Sequence, residues 1–181
     1  MSHFTFVRHA QSKGNAEGVV ARPDSPLSEL GITQAAQTGA ALKDKGITHI
    51  ACAPTARARQ TAEIIAFELG INAHNISVID ELRERDYGHL EGQPKQHEEG
   101  WYFSAEEKGL EPHGELIMRM HTAFHKLHTL SAGQQGLLAI GSAVSGFVLR
   151  QVAQGKTDVT TFDPFVQMHN GAFAEVPLDE A

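Results

Sequence analysis

Arg8 and His9 follow directly on the apolar run Phe4-Thr5-Phe6-Val7, so a guanidinium and an imidazole leave the end of a short strand together. An imidazole that is neutral on one nitrogen can act as a nucleophile. A guanidinium fork clamps phosphate oxygens and stays charged while doing so. An isolated Arg-His pair would serve equally well as surface or capping groups, and the residues around it decide between the two. Ala10-Gln11-Ser12 and Asn15 come next; Arg57 and Arg59 lie in the segment Pro54 to Ala62, and Glu84 in Leu82 to Gly88. By itself Glu84 reads as one carboxylate of a charged surface turn with Arg83, Arg85 and Asp86, and Asn15 as a turn cap; transfer of a phosphoryl group is the chemistry that would use all of these residue types together. Its dianion repels nucleophiles, so cations must sit on the nonbridging oxygens, the nucleophile must be held in line, and a departing alkoxide needs a proton.

The elements that would position these groups alternate between strand and helix patterns. Phe4 to Val7 is a buried strand, and Asn15 to Pro26, with Gly18, Pro23, Asp24 and Ser25, carries loop chemistry. Ser28 or Thr33 can cap an Ala-rich helix that runs toward Lys45 and stops at Gly46. Ile47 to Cys52 reads as a strand broken by Pro54, and Ala56 to Leu69 as a helix ended by Gly70. Val78 to Leu82 is expected as a further strand or extended segment. The polar, glycine-punctuated stretch 93–113, with Trp101, Tyr102 and Phe103 inside it, is expected as a surface excursion or lid. An amphipathic helix over Glu115 to Leu130, a strand over Leu137 to Ile140, a helix over Ser145 to Val152 and an edge strand over Ala172 to Val176 complete the chain. The pattern predicts an α/β fold: one domain over 1–181, a mostly parallel sheet flanked by helices on both faces, and a pocket at the carboxyl ends of the strands.

Composition narrows the partners. The 181 residues carry a formal charge of −7 without any Lys/Arg run, which argues against a nucleic-acid footprint. A single cysteine, Cys52, rules out an internal disulfide framework, and neither a signal-peptide pattern nor an apolar stretch long enough to span a bilayer is present. A cytoplasmic protein without nucleic-acid or membrane partners is the expectation, with a homodimer as the commonest assembly. No metal or other cofactor is implied. His121 and His125 have i, i+4 ligand spacing but lack a carboxylate partner, and Cys52 reads as a buried strand residue.

Taken in order, the segments Arg8-His9-Ala10, Asp24 to Ala35, Pro54 to Ala62, Leu82 to Gly92, Gly114-Glu115 with Arg119, and Asn170-Gly171 resemble the motifs of the histidine phosphatase superfamily, which contains the phosphoglycerate mutases and many small phosphatases. The resemblance covers nearly the whole chain and implies the phosphoglycerate mutase-like fold. It implies His9 as nucleophile, Arg8 and Arg57 as phosphate clamps, Asn15 as a phosphate donor from the loop, and Glu84 as general acid and then general base. Arg59, two residues beyond Arg57, would face elsewhere as a solvated charge.

One position departs from the pattern. Where the family has a second pocket histidine that contacts the transferred group, this chain reads Gly141-Ser142-Ala143, and Ser142 can offer only a short neutral hydrogen bond to phosphate. Losing a preorganised donor of that kind costs about 10²–10³ in rate. The resemblance therefore implies a phosphomonoesterase acting on small phosphate esters through phospho-His9 and slowed by Ser142. The alternative is a noncatalytic phosphoryl-ligand binding or regulatory protein; a phosphoglycerate mutase-type phosphotransferase comes third, because the chain is short for one.

Overall fold

The computed structural model describes residues 3–95, 109–132, 136–157, 159 and 168–178. Its centre is a five-stranded sheet: β1 (His3–Arg8), β2 (His49–Cys52), β3 (Ile76–Val78), β4 (Leu137–Gly141) and β5 (Phe173–Pro177), in the order β3-β2-β4-β1-β5. β1, β2, β3 and β4 run parallel, with Val7 beside Ile140 and Ala51 beside Ala139; β5 closes the far edge antiparallel to β1. Every residue of β4 is buried, as are Phe4 to Val7 of β1, so both faces of the central strands are covered and the alternation typical of a half-exposed sheet disappears.

The helices are α1 (Lys13–Ala16), α2 (Glu29–Ala41), α3 (Ala56–Leu69), α4 (His113–Ser131) and α5 (Ala143–Val152). α2 packs on α3 and α4 on α5. Of the two hydroxyls able to cap α2, Ser28 takes the role: its Oγ accepts from Gly31 N at 3.0 Å, while Thr33 bonds back to the Glu29 carbonyl within the helix. Gly70 ends α3 in the left-handed region at φ 67°, as its position in the sequence predicts. α5 approaches β1 so closely that a Cβ on Gly146 would lie 2.3 Å from the Phe6 ring, which explains a glycine inside an otherwise apolar helix.

Several boundaries differ from expectation. Where a strand or extended segment is expected over Val78 to Leu82, the strand is Ile76–Val78, followed by a 3₁₀ turn, Asp80–Leu82. The cause is loss of a ladder partner: Ile79 N donates to the Cys52 carbonyl at 2.9 Å, β2 ends there, and Pro54 follows. The first residues of the expected Asn15 to Pro26 loop belong to the one-turn α1, which Ser12 and Asn15 close with a reciprocal capping box. α5 begins at Ala143 rather than Ser145. Of the expected lid over 93–113, residues 96–108, including Trp101, Tyr102 and Phe103, lie outside the described residues. Among the described residues no helix is long and apolar enough to cross a membrane, and no His, Cys, Asp and Glu groups converge as a metal site would require.

Candidate active site

Three parallel interior strands bring residues together at their carboxyl ends: Arg8 and His9 at the end of β1, Thr55 and Arg57 from the turn after β2 and the start of α3, and Ser142 to Val144 from the start of α5 after β4. A cavity of about 390 Å³ opens there, and Arg8, His9, Asn15, Thr55, Arg57, Glu84 and Lys95 are among the residues that line it.

The backbone of the Arg8-His9 pair is locked from both sides. Arg8 N donates to the Ala172 carbonyl at 3.1 Å, His9 N to the Gly141 carbonyl at 2.9 Å, and Asn170 Nδ2 to the His9 carbonyl at 2.9 Å. Thr61 ties the next residue to α3: its Oγ accepts from Ala10 N at 3.1 Å and donates to the Arg57 carbonyl at 2.7 Å.

His9 is 3% exposed, and its two ring nitrogens have opposite roles. Nδ1 lies 2.8 Å from the Ala10 carbonyl, which can only accept, so Nδ1 carries the proton. Nε2 is then the basic nitrogen, and it accepts from Arg57 Nε at 3.1 Å. Burial, followed by the charge of Arg57, pushes the imidazole well below its ordinary pKa; the Ala10 hydrogen bond opposes this, and Arg8 and Lys95 add to it. The result is a neutral imidazole of fixed tautomer whose lone pair faces a guanidinium.

Arg57 is also held by its Nη1, which donates to the Arg22 carbonyl at 2.8 Å, and Arg8 Nη1 donates to the Met168 carbonyl at 2.6 Å. Burial lowers the pKa of both guanidiniums and Glu84 raises it again, but a guanidinium starts so high that both remain cations. Arg8 Nε and Thr55 Oγ are buried and have no hydrogen-bond partner among the described residues. Such orphans in a lined cavity are the partners an anion would take up.

Asn15 divides its amide between two tasks. Its Oδ1 accepts from Ser12 N at 3.2 Å within the α1 cap, which leaves Nδ2 as the group able to donate into the cavity. Glu84 also serves a structural purpose: Oε1 accepts from Arg85 N and Ser145 N, both at 2.9 Å, and Oε2 from Val144 N at 3.2 Å, so its carboxylate caps the positive end of α5. That cap explains why Ser142, the residue at the N-cap position, makes no capping bond.

Ser142 is the one predicted site residue that the structure sets back from the others. It is fully buried, its Oγ has no partner among the described residues, and it is not among the residues lining the cavity. Arg59 turns away as expected and bonds the Pro54 carbonyl from an exposed position. Lys95 and Glu91 are among the cavity residues that sequence reasoning missed; Lys95 lies in a polar run without a local signal. Burial, then the nearby Arg8, lowers its pKa, with Glu84 acting in the opposite direction.

Known proteins similar in sequence and in fold identify the family. Fructose-2,6-bisphosphatase TIGAR B of Danio rerio is 37% identical over 150 residues, an alignment that covers 78% of this chain and 57% of that protein. The protein named Probable phosphoglycerate mutase GpmB of Klebsiella pneumoniae is 39% identical over 159 residues, covering 77% of this chain and 72% of its relative. Among solved structures, a mycobacterial glucosyl-3-phosphoglycerate phosphatase complexed with VO3 superposes with a TM-score of 0.79 at 18% identity, over 97% of this chain and 90% of the other. The alpha-ribazole phosphatase of Shigella flexneri superposes with a TM-score of 0.77 at 18% identity, over 96% and 89%. Both share the phosphoglycerate mutase-like α/β fold described above. With residues 4–180 matching the family model for the histidine phosphatase superfamily (branch 1), the chain belongs to that superfamily.

Proposed function

We propose that this protein is a phosphomonoesterase that works through a phosphohistidine on His9, with Arg8 and Arg57 as clamps, Asn15 and Thr55 as neutral donors, and Glu84 as acid and base. The observation that carries this reading is the state of His9: Nδ1–H is tied to a carbonyl, and the Nε2 lone pair points at Arg57 in a cavity with further cations. The Nε2 lone pair would form the bond to phosphorus as the ester P–O bond breaks, and the departing oxygen would take its proton from Glu84. Arg57 Nε–H, which loses its acceptor when that lone pair is used, is then free to donate to a nonbridging oxygen, so the clamp tightens as charge develops there. In the second half, water attacks phosphorus and gives a proton to Glu84, the N–P bond breaks, and the lone pair returns to Nε2.

The relatives' names speak of a bisphosphatase and a phosphoglycerate mutase, which supports a small phosphate ester as substrate. They give no support to the noncatalytic alternative. In this reading Ser142, at the position where the family has its second histidine, supplies no cation, and turnover rests on Arg8, Arg57 and Lys95.

The test is release of inorganic phosphate from an aryl phosphate by the purified protein, with His9→Ala as blank and rapid quench for an acid-labile phosphoenzyme. Turnover and labelling that both vanish in His9→Ala support the reading. Hydrolysis unchanged in that variant would end it. Ser142→His and an assay of transfer between phosphoglycerates decide, respectively, how much the serine costs and whether mutase activity is present.

A further inference from the structure

The turn that carries Glu84 is gripped from behind by two buried charges that take no part in the chemistry above. Glu111 lies just ahead of α4 and Arg119 within it, and they are 8% and 9% exposed. Arg119 uses all of the donors a guanidinium has. Nε reaches Glu111 Oε1 at 2.6 Å, Nη1 the carbonyls of Glu81 and Arg83 at 2.6 and 2.9 Å, and Nη2 the Glu111 Oε2 at 2.6 Å and the Glu84 carbonyl at 3.4 Å.

Glu111 then extends the grip to the following residues. Its Oε2 accepts from Asp86 N at 3.1 Å, its backbone N donates to the Asp86 carbonyl at 2.9 Å, and its carbonyl accepts from Arg85 Nε at 2.8 Å. Backbone groups of residues 81, 83, 84 and 86 thus end on this one ion pair, and the Arg85 side chain ends on the backbone of Glu111, with Glu84 in their midst. Stability alone is a weak account of it, because the desolvation of a buried ion pair commonly consumes what its attraction returns. What the pair does supply is convergence: three carbonyls drawn to one planar group, a geometry that no lysine or apolar residue can reproduce.

We infer that Glu111 and Arg119 are positioning residues, whose ion pair fixes the backbone of the turn so that the Glu84 carboxyl stands ready in the cavity with His9. The inference rests on the reading of Glu84 as the acid that protonates the leaving group. An error of about 1 Å in such a group costs on the order of 10²-fold in rate. The loss should fall on substrates that need the proton: an alkyl ester leaves as a basic alkoxide, whereas a nitrophenolate leaves without help.

The experiment measures kcat/KM, which reports the first transfer to His9, for p-nitrophenyl phosphate and benzyl phosphate. It compares the wild type with Glu84→Gln, Arg119→Lys and the double variant Glu111→Met/Arg119→Met, each with its melting temperature. Glu84→Gln sets the scale by lowering the benzyl to nitrophenyl ratio about 10²-fold. Arg119→Lys and the double variant are expected to lower that ratio about tenfold or more, including when the double variant, which leaves no buried charge unpaired, melts near the wild type. If Glu84→Gln moves the ratio but the folded Arg119 variants change both esters equally or not at all, the positioning role is overturned and the hydrolase reading stands. If the wild type hydrolyses neither ester, or Glu84→Gln leaves the ratio unmoved, the reading of Glu84 fails and this inference fails with it. A pair that cannot be replaced without unfolding the chain belongs to stability, which also overturns the proposal.

Discussion

Replacing Arg57 with methionine tests the core of the proposed site, because the guanidinium is 3% exposed and joins the nucleophile to the surrounding loop. The variant removes the donor at 3.1 Å from His9 Nε2, the group that would turn to a phosphoryl oxygen during attack. Loss of one preorganised donor of this kind lowers kcat by about 10²–10³, or roughly 2.7–4 kcal/mol of transition-state stabilisation. A second effect is independent of the first. Burial is the main cause of the depressed His9 pKa and Arg57 the next, so removing Arg57 moves the imidazole part of the way back toward its ordinary value. The acid limb of kcat/KM, where protonation of Nε2 removes the nucleophile, should then shift to higher pH. Arg57→Lys separates the two effects: the charge stays and the acid limb with it, but the planar fork is gone and most of the rate is still lost. In the methionine variant the Arg22 carbonyl also loses its donor; Arg22 is exposed, so water can take the vacated place and the cost in stability is about 0.5–1.5 kcal/mol. The assay is steady-state hydrolysis of p-nitrophenyl phosphate across the pH range of the free enzyme, beside a denaturant melt. An Arg57→Met protein within about tenfold of wild type, with its acid limb unmoved, would refute the argument.

Buried neutral His9 should make the fold sensitive to mild acid. Its folded pKa lies well below the ordinary value, so the unfolded chain takes up a proton that the folded chain refuses once the pH falls through about 6.5, and stability declines on that side. Urea melts at successive pH values should show this slope in the wild type and a flatter one in His9→Gln. Thr61→Val keeps the shape of the side chain but leaves the Ala10 N–H without its acceptor, and should lower stability by about 1–3 kcal/mol in the same melts. Gly146→Ala drives a methyl into the Phe6 ring, which is itself 1% exposed and has no room to retreat; a loss of about 1–3 kcal/mol is expected, seen as a lower melting midpoint.

Much of this molecule is legible in short windows of the chain. The apolar run before Arg8-His9, a hydroxyl cap at the start of α2 and the stop at Gly70 are local features, because a continuous apolar run, capping hydroxyls and left-handed glycines act within a few residues of themselves; the structure chose Ser28 over Thr33. No single window singles out Arg8, His9, Asn15, Arg57 and Glu84; the resemblance over nearly the whole chain does, and the fold brings all five to one cavity. Short windows also mislead where a neighbour in space decides: Val78 to Leu82 looks like a strand or extended segment, but β2 runs out beside it and the chain curls at Asp80.

Only the tertiary structure decided how the site is held. Asn170 reaches His9 from 161 residues away, Val144 and Ser145 meet the Glu84 carboxylate across 60 and 61 residues, and Lys95 comes to the cavity from a featureless polar run. Glu111 and Arg119 are eight residues apart, and the turn they grip ends some 25 residues before Glu111. Nothing in local sequence announces these pairings. A hydrogen bond between distant residues depends on the strand order and register that bring its two ends together, and those are properties of the whole packed sheet.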